Sequence, residues 1–104
     1  MFGNKKSAEV KSIIVTTTDY IVNREITDYL GVVSGSEAYK AADGIHNQDV
    51  NFDEAYQKAV SRAMRRAVNN FNADAIVGLT TTITHTGVLQ EVLVTVQGTC
   101  VSLN

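Results

Sequence analysis

The sequence predicts an α+β domain with two layers. A mostly antiparallel four-stranded sheet, in the chain order strand, strand, helix, strand, strand, packs against one long helix. Three observations carry that reading. Between Asn51 and Asn72 apolar residues recur at helical spacing. On both sides of that stretch the chain is rich in β-branched residues, and after it they alternate with a period of two. The two runs after the helix are separated by a short Gly-containing turn, which favours antiparallel pairing of sequence neighbours.

The elements follow in order. Residues 1–11 are polar and read as a flexible tail, set apart from a domain spanning 12–104. Ser12-Ile13-Ile14-Val15-Thr16-Thr17-Thr18 reads as a first strand, and Asp19 to Arg24 as a connection. A second strand begins at Glu25, carries Ile26, Tyr29, Leu30, Val32 and Val33, and runs to about Tyr39. A loop containing Asp43-Gly44 and His46 then feeds the helix. Asn51 with Glu54 three residues later matches an N-cap and its capping-box partner. Phe52, Tyr56, Ala59, Val60, Ala63, Met64, Ala67, Val68 and Phe71 form the apolar face, and Asn72 suits a left-handed stop. The third strand, Ala73 to Thr84, places Ala75, Val77, Leu79 and Ile83 on one side and Thr80, Thr82 and Thr84 on the other. After the turn at His85-Thr86-Gly87, the last strand runs to about Leu103, with a bulge expected at Gly98 where the apolar parity changes.

Size and composition narrow the function classes. A chain of 104 residues supports one domain with one modest core. A net charge of -2 argues against a general nucleic-acid binder, which is normally basic. One cysteine, Cys100, cannot form an internal disulfide and fits a reducing compartment. There is no secretory signal pattern and no apolar run approaching the roughly 20 residues of a membrane helix, so a cytoplasmic location is expected.

One helix, about 10–12 Å across, covers roughly two strands spaced about 4.8 Å apart. Apolar residues such as Leu30, Val32 and Val33, which fall on both faces of one strand, therefore need a further cover. A neighbouring subunit is the simplest supply, and a homo-oligomer is expected.

Taken together, Thr16-Thr17-Thr18, Tyr29-Leu30-Gly31-Val32-Val33-Ser34-Gly35, the Ala-rich helix and Ala73-Asp74-Ala75-Ile76-Val77-Gly78 resemble the YbjQ family (UPF0145). The resemblance covers about Ile13 to Leu103. It implies a dodecin-like antiparallel sheet with one long helix, assembled into a ring-shaped homopentamer. The family is also named for heavy-metal binding, and it supplies no established activity. Two departures stand out: Asn72-Ala73-Asp74-Ala75 where members carry Gly-Ala-Asn-Ala, and Thr80-Thr81-Thr82 where they tend to carry acidic or aromatic residues.

Candidate chemistry is sparse. His46, His85 and Cys100 are the borderline or soft metal ligands, but no pair stands at ligand spacing, and His85 and Cys100 are too far apart in one subunit to share an ion. No metal residues and no cofactor are assigned. Lys58, Arg62 and Arg66 follow at i+4 on the helix with Arg65 beside them; such a row serves either as a solvated face or as an anion site for a nucleotide. Thr80, Thr82 and Thr84 form a hydroxyl row suited to a polar ligand or simply to an exposed strand. No nucleophile–base motif, glycine-rich phosphate loop or paired carboxylates point to catalysis. The leading expectation is a non-enzymatic oligomeric binding protein that holds a small molecule or nucleotide between subunits, using Thr80, Thr82, Thr84, Arg62, Arg65 and Arg66. The competing expectations are a heavy-metal binder and a structural or protein-interaction scaffold.

Overall fold

A computed structural model describes residues 12–40, 48–87 and 90–104. The expected flexible tail at 1–11, the loop with His46 and the tip of the last hairpin lie outside the described residues. The elements are β1 (Ile14–Val15), β2 (Ile26–Lys40), α1 (Gln48–Phe71), β3 (Ala75–His85) and β4 (Glu91–Leu103). They form one four-stranded sheet in the order β1-β3-β4-β2, with α1 lying over β2 and β4. The β3–β4 and β4–β2 pairs are antiparallel, and β1 runs parallel to β3.

The helix sits very low on the sheet, and the reason is the residue type at the contact. Ala55, Ala59, Ala63 and Ala67, spaced by four, are the buried stripe of α1. Gly35 lies beneath them, and a Cβ added there would press into the Ala59 carbonyl and come within 2.8 Å of the Ala63 nitrogen. At the other end Phe71 fills the space above Gly31. Small residues on both surfaces let backbone approach backbone, while Val33, Ile76, Leu79, Val96 and Cys100 complete the core around them.

The opposite face of the sheet has its own small cluster. Ala75, Val77 and Val101 are buried there, with Ile21, Ile26 and Leu103 packed over them. Ile21 reaches this face because β1 ends after two residues, not at Thr18 as the β-branched run suggests. Thr16 still bonds β3 through Ile76 and Leu79, but the Thr18 hydroxyl then donates to the Tyr20 carbonyl at 2.6 Å and the chain turns across the sheet. Local hydroxyl–backbone bonding of this kind competes with strand extension.

Two further boundaries differ from the sequence reading. The helix begins at Gln48, so Asn51 lies within it, and its side-chain amide donates to the Lys40 carbonyl at 3.4 Å, tying α1 to the end of β2. The left-handed stop at Asn72 does occur, with φ of 51°. The bulge lies across from Gly98. Val77 pairs with Thr99 and Thr80 with Gln97, so the extra residue belongs to β3 at Gly78-Leu79, where Gly78 has φ of 64°. Gly98 itself stays in register and makes room for Ile76 Cγ2, which an added Cβ would meet at 2.5 Å.

Candidate functional site

The bulge sets what β3 presents. Ile76 and Leu79 both face the helix, and beyond the bulge Thr81, Ile83 and His85 pair with Val96, Val94 and Val92 on that same side. Thr80, Thr82 and Thr84 therefore share the open face, opposite Leu79 and Ile83. Ala75 and Val77, expected on the side of Leu79 and Ile83, lie instead on the threonines' face, because the bulge switches the parity between Val77 and Thr80. There they meet residues the sequence reading did not select. Thr80 aligns with Gln97 and Ser34, Thr82 with Thr95 and Ser36, and Thr84 with Leu93 and Ala38. The Ser36 and Thr95 hydroxyls lie 3.1 Å apart. The hydroxyl surface thus spans three strands. The parity of β2 and β4, carried across the sheet, holds the signal that would have found it.

The three arginines do not converge. Arg66 Nη1 donates to the Ser34 carbonyl at 2.8 Å, and Arg62 Nη1 donates to the Ser36 carbonyl and pairs with the Glu37 carboxylate. Lys58 stands 4.0 Å from the same carboxylate. Since β2 is a sheet edge bonded on one side by β4, these carbonyls belong to its outer edge, and the two guanidinium groups hook over it. Like charges at i+4 repel one another, and here Glu37 and main-chain acceptors offset that repulsion. Arg65 stands apart, exposed, on a shallow depression of ≈ 430 Å³ lined also by Glu54, Gln57, Lys58, Ser61 and Arg62. That depression is on the outer side of α1, whereas the threonine row is on the sheet face away from α1. One subunit does not bring the two halves of the expected ligand site together.

Cys100 and His85 are likewise separate. Cys100 is fully buried beneath α1, paired with Ile76 near the start of β3, while His85 is exposed at the end of that strand. Burial pushes the Cys100 thiol above its ordinary pKa, the opposite of what a metal-binding thiolate needs. Among the described residues no three His, Cys, Asp or Glu side chains gather as a metal site. No described helix is long and apolar enough to cross a membrane.

No family model matches the chain, and no characterised protein matches it in sequence. Solved structures do. One is the crystal structure of a protein of unknown function from Pediococcus pentosaceus ATCC 25745 that belongs to the DUF74 family, which is the YbjQ family. It superposes with a TM-score of 0.67 at 19% identity, over 88% of this chain and 98% of the other. The likeness shows the fold, a helix packed on a curled four-stranded mixed sheet.

Proposed function

We propose that the chain is a YbjQ-like, non-enzymatic subunit of a homo-oligomer that holds a small anionic or polar molecule, of the nucleotide class, at a junction between copies. The observation that carries this reading is the placement of the two candidate surfaces on opposite sides of one subunit. A hydroxyl array on the open face and a cationic depression on the outer helix face become one site only when a second copy brings them together. The open face also leaves Tyr29 and Val32 of β2 exposed at 71% and 60%, apolar area that a neighbour would cover. The resemblance to ring-shaped family members supports a pentameric arrangement.

Within this site Arg65 is the residue that engages the anion, since Arg62 and Arg66 are committed to the β2 edge. Thr82 and Thr95 supply hydroxyls from the facing surface. The test is a thermal-shift titration with nucleoside triphosphate and with inorganic phosphate. Wild-type protein is expected to be stabilised in a concentration-dependent way, as ligand binding to the folded state requires. Arg65→Ala should lose that shift while its oligomer mass is unchanged. An Arg65→Ala variant that responds like wild type would end the assignment.

A further inference from the structure

The two edges of the sheet are finished differently. The β2 edge is occupied at Ser34 and Ser36 by the arginine hooks. The other edge passes from β1 to β3 after Leu79, and from Thr80 to His85 every residue is exposed. This run, Thr80-Thr81-Thr82-Ile83-Thr84-His85, contains no formally charged residue, proline or glycine. Natural edges are usually blunted by such residues, and an unblunted one is a template for strand addition.

Its backbone polarity can be read from the neighbouring bonds. The Leu79 N–H donates outward to Thr16 at 3.1 Å. Alternate residues of an antiparallel strand turn both backbone groups to the same side. Thr81, Ile83 and His85 therefore present their N–H and C=O groups on the free edge, and none of these has a strand partner there among the described residues.

We infer that this edge pairs with the same edge of a second copy, antiparallel, about a two-fold axis at Ile83. In that register Ile83 exchanges both backbone bonds with its own equivalent, and Thr81 exchanges with His85 of the other copy. All the outward groups are satisfied at once. Ile83, 55% exposed in one subunit, then packs against Ile83 across the axis, and Thr82 meets Thr84 on the open face. A second copy fits better than an unrelated strand for two reasons. The edge is self-complementary about Ile83 without any charge to select a partner, and the guarded β2 edge disfavours head-to-tail addition. The contact is isologous, so it joins copies in pairs. A five-membered ring built through other surfaces would be coupled by it to a second ring.

The inference rests on the self-assembly part of the proposed function, and one set of measurements separates the two. Light scattering across a dilution series is combined with residue-resolved hydrogen exchange on the full chain. Wild type is expected to show even-numbered assemblies in which the Thr81, Ile83 and His85 amides are protected and lose protection on dilution. Ile83→Lys sets like charges opposite each other across the axis and should weaken this association by roughly tenfold or more, whereas Ile83→Val should retain it. An assembly in which those amides exchange at free-strand rates, or a folded Ile83→Lys variant that assembles like wild type, would overturn the β3 contact and leave oligomerisation standing. A wild-type chain that stays monomeric at every concentration would overturn both.

Discussion

Gly35 shows how much one missing side chain decides. Its Cα side faces the helix backbone, where neither the Ala59 carbonyl nor the Ala63 amide can move without shifting α1. Gly35→Ala is therefore expected to cost about 3 kcal/mol or more, read by chemical denaturation, because overpacking against backbone has no rotamer to relax into. A change below about 0.5 kcal/mol would contradict the contact. Cys100 is the other decisive residue. Its thiol pKa is raised in the folded state by burial, so the folded protein keeps a proton that the unfolded chain releases above its ordinary value of ~8.5. That contribution is fully present below the unfolded pKa and is lost as pH rises toward the folded one. Unfolding free energy should thus fall more steeply than in Cys100→Ala as pH rises above the ordinary thiol value, measured by denaturant titration. Asn72 was legible in the sequence because few residues tolerate a left-handed cap. Gly35 was legible only as a pause in a β-branched run, since its role depends on a helix that arrives much later in the chain.

At the level of elements, the long helix, the long second strand and the closing hairpin could all be read from periodicity. Each is long enough for its apolar or β-branched pattern to show within one continuous run of sequence. What could not be read was governed by contacts between distant segments. The helix start was displaced because Asn51 with Glu54 copies a capping pattern inside a helix, where Asn51 bonds Lys40 instead. The parity change near Gly98 was visible, but the strand that bulges is β3, because Gly78 takes the positive φ and Gly98 yields to Ile76. The arginine row was visible as sequence, while its acceptors, the edge carbonyls of β2, were not. Those hooks lead to an expected outcome for the double variant Arg62→Ala with Arg66→Ala. Freed β2 edges should pair head-to-tail and give larger, polydisperse assemblies in light scattering, with little loss of secondary structure. Unchanged size distribution would mean that the hooks do not guard the edge.

For the whole molecule, the sheet has one face closed by the helix and another that, among the described residues, is covered at one end by Ile21, Ile26 and Leu103. The remainder is a hydroxyl surface flanked by exposed Val32 and Tyr29, next to an unpaired edge at β3. In the proposed assembly such a subunit is completed by its own copies, and a contact between copies joins the two halves of the ligand site. Native mass spectrometry of gently purified protein tests this most directly. The expected result is a multiple of the 11.3 kDa subunit, even where β3 edges couple two rings, carrying a discrete excess mass that is lost when Arg65 is replaced by Ala. A bare 11.3 kDa monomer at every concentration would contradict it.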